Sequence, residues 1–400
     1  MKALIVSHYY HPEIGAAASR ITFMAEGLRQ EGADVDVLTC LPNYPKGRIF
    51  EGYRGCFSKR ENINGVNVFM CWSFASVSKS ALVRMLCMLS FSITLWFFAF
   101  KRKLIKSYDV VIIQSPPILV GFSALLLFKK LYRRKVILNV SDLWPTSAIE
   151  LGAMREHSLS HRFLLWVERY LYKNVDAIQG QSNEILRHVK EFVPAKPLFL
   201  YRNLQHASDV QLSNTKQRRP LKIVYAGLLG VAQDILGLVK AINFKELGAE
   251  FQIYGAGNQA QQIETYTLMN DTGAYYNGML SKSDVKKILP QYHVSIVPLL
   301  VRIQGAVPSK IFDLISLGIP VLFCGGGEGA DIVEEYHLGL TSQPGNIEQL
   351  KQHIREFAQM DDDTYMKYRE NCMKASDEVF SFDKQMQAYH QFVCRICKEG

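Results

Sequence analysis

The chain lacks the sequence features that define several classes of protein. Its first residues, 2 to 10, predict a strand, because no basic region, long apolar run and small-residue cleavage site follow one another as in a signal peptide. Zinc-finger spacing and the aromatic signature of RNA-binding domains are also absent. We therefore expect neither a signal peptide nor a nucleic-acid partner.

Cysteine is not concentrated in any region. The eight cysteines are scattered, and the close pair Cys394 and Cys397 has no second pair or histidine cluster beside it. A single C-x-x-C of this kind gives little support for a metal or redox site. We expect reduced thiols in a cytoplasmic protein.

The composition indicates a globular protein with two domains. A chain of 400 residues exceeds the size of one ordinary core, and 48% apolar with 21% charged residues is not typical of disorder. The formal net charge is +9. This excess indicates a polyanionic partner, and without nucleic-acid signatures an anionic membrane surface or a phosphorylated substrate fits best.

Much of the positive charge lies in two clusters that each follow an apolar segment. The first basic cluster is Lys101, Arg102, Lys103 and Lys106; the second basic cluster is Lys129, Lys130, Arg133, Arg134 and Lys135. Basic residues beside apolar helices favour a membrane surface, so we predict a membrane-facing segment at residues 81–135. The alternative is a pair of solvated helix ends.

The apolar segment Ala81 to Phe100 predicts a helix. Its 16 residues from Met85 to Phe100 carry no charge. Such a helix would be about 24 Å long, against ~30 Å for a hydrocarbon core. We therefore prefer a helix half-sunk in the membrane face, or one buried in the core, over a membrane span.

The first half predicts a parallel α/β domain. The predicted strands are Ala3–Ser7, Val35–Thr39, Val110–Gln114, Lys135–Val140, Ala177–Gln179 and Leu198–Leu200. The loop after the first strand lies where such folds bind ligands, so Gly15 and Arg20 are candidate substrate contacts. A tight turn and a surface helix residue are the alternatives.

Two further patterns in this half contain carboxylates. Asp142 and Trp144 follow a strand directly, and Asp142 could bind a substrate hydroxyl, act as a base, or cap the next helix. Asp34 and Asp36 form a D-x-D, but they begin a strand instead of ending one, which predicts a structural role.

Two stretches are predicted to lack regular secondary structure over much of their length. Residues 41–72 are predicted to be loop-rich, and a loop of that length is usually functional or mobile. Residues 205–220 are polar without periodicity and predict a linker. A second α/β series follows the linker, with predicted strands Lys222–Ala226, Phe251–Tyr254 and Val294–Pro298.

The stretch Val307 to Gly339 predicts helix, strand, glycine-rich loop and helix. Pro308 suits the first turn of the helix, and Gly318 suits its C-terminal end. Unpaired N–H groups near Ser309 and Lys310 would form an anion site, and Asp313 could accept hydrogen bonds from a sugar diol. Phosphate plus ribose predicts a nucleotide.

Several segments in a fixed order resemble a known family. They are HYYHPEIGAAASR, LPNYPKG, QSPPILVG, SDLWPTSAIELG, YAGLLGVAQD, the glycine pair Gly255 and Gly257, IVPL, VPSKIFDLISLGIPVLF and SFDKQMQAY. In this order they resemble the GT-B glycosyltransferases of family 4. Within that family they are similar to the bacterial branch that builds O-antigen and capsule repeat units, which includes fucosamine transferases.

The resemblance implies an architecture of two Rossmann-like domains facing across a cleft. The expected boundaries are an acceptor domain at 1–204, a linker at 205–220, a nucleotide-sugar domain at 221–380 and a helix at 381–400 that packs back. It further implies a retaining, metal-independent enzyme at the inner membrane face. The expected substrates are a UDP-sugar, including N-acetylated amino sugars, and a sugar acceptor linked to polyprenyl diphosphate.

The local patterns and the resemblance together give the expected site residues. The donor would contact Gly227, Gly255, Gly257, Arg302, Ser309, Lys310 and Asp313, and the acceptor Gly15, Arg20, Asp142 and Trp144. Asp142 and Lys310 are the expected catalytic residues.

The chain departs from the family pattern at two places. The E-x7-E signature falls on Gly305 and Asp313, so its first carboxylate is missing. The basic pair of the second domain falls near Leu228 and Gln233, which are uncharged. We expect Lys310, the helix N-terminus and Arg302 to compensate the two phosphates.

Two other functions are compatible with these residues. A UDP-N-acetylhexosamine 2-epimerase would need acid and base groups converging in the cleft, for which His8, His11 and Asp142 are the candidates. A non-catalytic membrane or scaffolding protein would explain the missing glutamate and basic pair.

Overall fold

The structure is a computed structural model that describes residues 1–76, 78, 81–206, 219–300 and 302–398. Most of the predicted linker, residues 207–218, lies outside the described residues. The chain divides into two compact units: residues up to Asn203 together with those from Asp383 onward, and Leu204–Phe382.

The first unit is built on an eight-stranded sheet in the order β3-β4-β2-β1-β5-β6-β7-β8. All neighbours pair in parallel except β3 and β4. The strands are β1 (Lys2–Val6), β2 (Asp34–Cys40), β3 (Ser58–Ile63), β4 (Val66–Cys71), β5 (Val110–Ser115), β6 (Lys135–Val140), β7 (Ala177–Gly180) and β8 (Leu198–Leu200).

Helices cover both faces of this sheet, which explains why its central strands are continuous apolar runs. Residues 3 to 6 of β1 and all of β5 are buried. The helices are α1 (Ala16–Gln30), α2 (Ala81–Thr94), α3 (Arg102–Ser107), α4 (Ile118–Leu125), α5 (Thr146–Glu150), α6 (Leu159–Asn174) and α7 (Asn183–Phe192).

The prediction that residues 41–72 are loop-rich is wrong for their second half. β3 and β4 form an antiparallel hairpin in which Ile63 pairs with Val66. Asn64 and Gly65 make its turn, both with positive φ. Asn-Gly is the strongest short sequence signal for a β-hairpin, so this turn could have been predicted from the sequence. Strand β3 consists mostly of polar and charged residues and has no fully buried position, so no apolar face marked it as a strand in the sequence.

The apolar segment has two different faces. Phe91, Leu95 and Phe98 are buried in the core of the first unit, whereas Ile93 and Phe100 are 65% and 82% exposed. The helix α2 ends at Thr94 and a 3-10 helix continues from Leu95 to Phe100. Among the described residues, no helix combines the length and apolarity needed to cross a membrane.

The second unit contains a six-stranded parallel sheet in the order β11-β10-β9-β12-β13-β14. Its strands are β9 (Leu221–Ala226), β10 (Ala249–Tyr254), β11 (Ala274–Tyr276), β12 (Val294–Pro298), β13 (Val321–Cys324) and β14 (Gly339–Ser342). Its helices are α8 (Ile235–Ala241), α9 (Ala260–Met269), α10 (Lys282–Ile288), α11 (Lys310–Ile315), α12 (Glu328–Glu335), α13 (Ile347–Gln359) and α14 (Asp362–Glu378).

The last helix, α15 (Phe382–Lys398), packs in the first unit. Met386 lies against Gly27 of α1 and accepts a hydrogen bond from the Tyr201 hydroxyl at 3.5 Å. Tyr389 contacts Phe199 of β8. The chain therefore completes its first unit with its last helix, and the predicted class of two parallel α/β domains is confirmed.

Candidate functional site

In the first unit, polar side chains collect where β5 and β6 end. The Gln114 amide donates to the Ser141 hydroxyl at 2.7 Å and accepts from Asn139. The Ser141 backbone N–H donates to the Ser115 carbonyl at 2.9 Å. These bonds fix the end of β6, and with it the next residue, Asp142.

Asp142 and Arg20 interact electrostatically at this edge of the sheet. Burial raises the pKa of Asp142, and the Arg20 charge opposes that rise. Burial lowers the pKa of Arg20, and Asp142 and Tyr201 oppose that fall. No ion pair within 4.0 Å joins Arg20 to Asp142 in the described structure, and the Arg20 Nε has no hydrogen-bond partner there. The predicted acceptor residues Arg20 and Asp142 are therefore neighbours.

The other predicted acceptor residues have clear local roles. Asp142 does not cap the next helix, because α5 has Pro145 at its N-cap and no side-chain capping bond. Trp144 is half-buried and packs against the core of the first unit. A Cβ atom on Gly15 would lie 3.2 Å from the Tyr44 ring, so a glycine here lets that ring approach the backbone.

Glu13 was not predicted as a site residue. It is 6% exposed, and its Oε1 accepts from the backbone N–H groups of Asn43 and Tyr44 at 2.7 and 2.8 Å. Burial raises its pKa to about 7, although the backbone hydrogen bonds oppose the rise. No local sequence signal indicates this contact, because its partners are some 30 residues away.

The two histidines proposed for an epimerase have different environments. His8 is 5% exposed, lies edge-on to Tyr9 and Phe91, and has its pKa lowered to about 4 by burial. His11 is exposed. The structure of the first unit therefore gives no paired acid and base from these two residues.

In the second unit, three predicted donor glycines pack backbone against backbone. A Cβ on Gly255 would collide with the Gly227 carbonyl, and one on Gly257 would collide with the Leu229 carbonyl. The Gly227 N–H donates to Tyr254 at 2.9 Å and the Leu229 N–H donates to Ala256 at 3.0 Å. The loops after β9 and β10 can lie this close only because these residues lack side chains.

Lys310 places its amine against the first of these glycines. A Cβ on Gly227 would collide with the Lys310 amine, which lies 4.0 Å from the centre of the Tyr225 ring. Burial lowers the pKa of Lys310 to about 8, and the Asp313 carboxylate opposes the fall. A cation therefore stands at the end of β9, where the expected basic pair is missing.

The helix that carries Lys310 begins later than predicted. α11 starts at Lys310 with Ser309 as its N-cap, so Pro308 precedes the helix and does not occupy its first turn. The helix ends as predicted: Gly318 has φ +64°, and the Ile319 N–H donates to the Leu314 carbonyl at 3.1 Å. This is the usual glycine C-terminal motif.

The remaining donor candidates surround the same loops. Asp313 is half-buried one turn after Ser309. Arg302 is exposed, and its side chain runs beside Gly326 of the glycine-rich loop, since a Cβ there would lie 3.6 Å from the Arg302 Cδ. Asp313 and Arg302 both follow β12 in the chain, on the carboxyl side of the sheet, where α/β folds bind ligands.

A separate cavity of about 230 Å³ lies at the ends of β12 and β13. Gln233, Asp234, Leu299, Cys324 and Asn346 are among its lining residues, whereas Lys310 and Asp313 are not. The lining of this cavity contains no cationic side chain, in contrast to the loops around Lys310.

The D-x-D residues have structural partners, as predicted. The Lys2 amine lies 2.9 Å from Asp34 and 3.9 Å from Asp36. The Asp36 carboxylate also accepts from Tyr108 and Asn67 at 2.6 and 3.0 Å. Within the described ranges, no group of three or more His, Cys, Asp or Glu residues is placed to hold a metal ion.

The two basic clusters differ in what surrounds them. Lys129 and Lys135 of the second basic cluster lie 2.7 and 3.8 Å from Asp176, and Lys130 donates to Asn174 at 2.5 Å. The first basic cluster has no acidic partner in the described structure. Three of its four residues line a cleft of about 530 Å³ in the first unit. This basic cleft is lined by Lys2, Asp36, Arg60, Asn67, Phe69, Phe100, Lys101, Arg102, Lys103 and Leu104.

Two parallel α/β units, each with candidate site residues at the carboxyl edge of its sheet, define the GT-B class of glycosyltransferase folds. Known proteins agree with this class. Residues 15–202 match a glycosyl transferase 4-like domain, and residues 220–360 match the glycosyl transferases group 1 domain. The chain belongs to the glycosyltransferase family that these two domain models describe, and it is a glycosyltransferase.

Individual relatives are distant but match most or all of the chain. WcaI of Escherichia coli K12, whose name describes a glycosyl transferase of colanic acid biosynthesis, is 23% identical over 341 residues, which cover 80% of this chain and 82% of WcaI. Sucrose-phosphate synthase from Thermosynechococcus elongatus superposes with a TM-score of 0.77 at 13% identity, covering 99% of both chains. The pneumococcal O-GlcNAc transferase GtfA, solved with UDP and GlcNAc, gives 0.63 at 11% identity, covering 100% of this chain and 99% of GtfA.

Proposed function

We propose that this glycosyltransferase moves a sugar from a UDP-sugar to a lipid-linked sugar acceptor, with retention of configuration and without a metal, in the assembly of a bacterial surface polysaccharide. The Lys310 amine beside Gly227 is the observation that carries the proposal. Two relatives support it: WcaI is named for colanic acid biosynthesis, and GtfA was solved with UDP and GlcNAc. An N-acetylated amino sugar is the donor sugar that we favour.

The donor diphosphate is assigned to the loops around Lys310. A departing nucleoside diphosphate gains negative charge, which a cation at the end of β9 would stabilise. Lys310 is already held there by Tyr225 and Gly227, so little reorganisation is needed when the donor binds. The N–H groups of Ser309 and Lys310 and the Arg302 side chain would add further donors. Asp313 would accept from the ribose hydroxyls.

The acceptor is assigned to Asp142 and Arg20 in the first unit. A carboxyl group whose pKa is raised by burial is a better base than a solvated one. Asp142 and Arg20 attract each other electrostatically but are not in direct contact. An acceptor hydroxyl can therefore bind to the Asp142 carboxylate while the Arg20 guanidinium holds that carboxylate in place.

The basic cleft is the surface that we assign to an anionic membrane at the cytoplasmic face. Arg60 and Lys101 lie over the Phe69 ring at 5.2 and 5.6 Å, and Phe100 beside them is 82% exposed. Cations next to an exposed aromatic side chain suit a lipid interface, where phosphates meet the apolar chains. This surface would bring the enzyme to a polyprenyl-diphosphate acceptor.

A thermal-shift screen against UDP-, GDP-, dTDP- and ADP-sugars tests the donor assignment. A ligand at a hundred times its dissociation constant adds about 2.7 kcal/mol of stability, so the correct nucleotide should raise Tm clearly. Failure of every UDP-sugar to do so would contradict the proposal. Release of free UDP or of an epimer from the UDP-sugar without any acceptor would favour the epimerase.

Flotation with vesicles of phosphatidylglycerol in phosphatidylcholine tests the membrane assignment. The double variant Lys101→Glu, Lys103→Glu should lose binding, and added salt should weaken wild-type binding because the Debye length falls to about 8 Å at 0.15 M. The double variant Lys130→Glu, Arg133→Glu changes the charge equally and is the matched control. Equal losses in both variants would show that only net charge matters.

A further inference from the structure

Glu13 connects the two loops that follow β1 and β2. Its Oε1 accepts from two successive backbone N–H groups, those of Asn43 and Tyr44. Its own backbone N–H donates to the Tyr10 carbonyl at 3.0 Å, which fixes the loop after β1. One carboxyl group therefore joins segments that lie 30 residues apart in the chain.

The loop held by Glu13 is folded around the same contact. Residues 42–48, which we call the Tyr44 segment, form a turn. The Gly47 N–H donates to the Asn43 carbonyl at 2.8 Å, and the N–H of Phe50, just beyond the segment, donates to the Pro42 carbonyl at 2.9 Å. The two N–H groups that donate to Glu13, those of Asn43 and Tyr44, lie at the start of this turn. Among the described residues, these two N–H groups have no other hydrogen-bond acceptor.

The Tyr44 ring is the part of this segment that a ligand can reach. It lies against the backbone at Gly15 and edge-on to Tyr9 at 5.9 Å, yet Tyr44 is 46% exposed. The exposed residues Lys46 and Arg48 follow in the same turn. An exposed aromatic ring that is followed in the same turn by two exposed cations suits a sugar with a phosphate group attached.

The environment of the Glu13 carboxyl is unfavourable for a residue with a packing role alone. It is buried, its Oε2 has no hydrogen-bond partner among the described residues, and no cationic side chain lies within 4.0 Å of it there. A buried carboxyl group without a counter-charge destabilises a fold. The two bonds to the Tyr44 segment are the contacts that offset this cost.

We propose that Glu13 is a positioning residue for the acceptor: its carboxyl holds the Tyr44 segment against Gly15, so that the Tyr44 ring stacks on the acceptor sugar and Lys46 and Arg48 bind its phosphate. The acceptor class rests on the proposed function, whereas the attachment of the Tyr44 segment does not. Glu13 touches no reacting atom and acts through Tyr44.

Limited trypsin digestion of the full-length protein tests the attachment. Trypsin cleaves after Lys46 and Arg48, and the wild-type segment should resist cleavage. Glu13→Ala should be cleaved there about tenfold faster, because two hydrogen bonds to a carboxylate are lost. Glu13→Gln keeps an acceptor oxygen and should be close to wild type. Unchanged cleavage of Glu13→Ala would overturn the proposal.

A second buried glutamate supplies the control. Glu168 of α6 is 2% exposed and accepts from the Tyr172 hydroxyl at 2.9 Å, also within the first unit. Glu168→Ala should leave cleavage after Lys46 and Arg48 unchanged. If Glu168→Ala accelerates it as much as Glu13→Ala does, general loosening of the unit explains the result and the specific role is refuted.

Kinetics with a short-chain lipid diphosphate carrying one N-acetylglucosamine test the acceptor role. Glu13→Ala should raise the KM for this acceptor about tenfold while kcat and UDP affinity stay near wild type, and Glu13→Gln should restore the KM. Faster trypsin cleavage with an unchanged acceptor KM would overturn the acceptor role. If the wild type transfers no sugar, the proposed function fails, while the trypsin comparison still decides whether Glu13 holds the segment.

Discussion

In each α/β unit an ionisable side chain lies close to the end of the first strand, Glu13 in the first unit and Lys310 in the second, and these two have opposite charges. In the first unit, the Glu13 carboxyl lies in the loop after β1 and binds backbone N–H groups. In the second unit, the Lys310 amine lies against Gly227 after β9. Related folds thus present a carboxylate at one site and a cation at the other.

The difference indicates which ligand each unit suits. The carboxyl groups of the first unit, Glu13 and Asp142, can accept hydrogen bonds from N–H and hydroxyl groups, whereas a phosphate in that unit needs cations such as Lys46 and Arg48. The amine in the second unit attracts a phosphate and cannot activate a hydroxyl while it is protonated. The comparison therefore assigns the acceptor hydroxyl to the first unit and the donor diphosphate to the second.

The largest expected effect is on turnover. Asp142→Asn removes the base but keeps the shape, so kcat should fall about a thousandfold, within the usual contribution of a general base. UDP affinity, measured by calorimetry, should stay within twofold of wild type because the donor is assigned to the other unit. A parallel loss of UDP affinity would erase the distinction between the units.

Lys310→Ala should have the next largest effect, and it should act on the donor. Loss of one preorganised donor to a developing charge typically raises the barrier by about 3 kcal/mol, so kcat should fall about a hundredfold, and UDP should also bind more weakly. Lys240→Ala, on the exposed last turn of α8, is the matched control. UDP binding that is equal in both variants would refute the cation site.

Asp313→Ala should lower UDP affinity about tenfold, since one hydrogen-bonded carboxylate contributes about 1.5 kcal/mol or more. The loss should be smaller for 2′,3′-dideoxy-UDP, which lacks the hydroxyls assigned to Asp313. Calorimetric titration of both nucleotides checks this. An equal loss for both would place Asp313 away from the ribose.

The sequence predicts the strands better than the contacts between them. Strand Val294–Pro298 and the C-terminal glycine of α11 follow from local apolar runs and glycine conformation, and both are found where predicted. The Glu13 bond to Asn43 depends on a loop closure over 30 residues, which no local pattern encodes. The Lys310 contact with Gly227 likewise requires β9 and α11 to meet. Local elements could therefore be predicted from the sequence, whereas contacts between side chains and loops that are distant in the chain could not.

The smallest expected effect is on stability, which should depend on pH in opposite directions for Glu13 and Lys310. Burial raises the pKa of Glu13 to about 7 and lowers that of Lys310 to about 8. The folded state thus favours the neutral form of both groups. Stability from Glu13 is present below its ordinary pKa of 4.5 and is lost as pH rises through 7, whereas stability from Lys310 is present above its ordinary pKa of 10.5 and is lost as pH falls through 8.

Neutral variants should therefore gain stability in opposite pH directions. Relative to wild type, Glu13→Gln should gain Tm as pH rises from 5 to 7, and Lys310→Met should gain Tm as pH falls from 10 to 8. Each slope can reach at most ~1.4 kcal/mol per pH unit, and solvent access to Lys310 makes its slope the smaller one. Differential scanning calorimetry of the two variants across this range measures both slopes. Slopes of the same sign would contradict the burial of an acidic group in the first unit and of a basic group in the second. The acceptor and donor assignments depend on that difference.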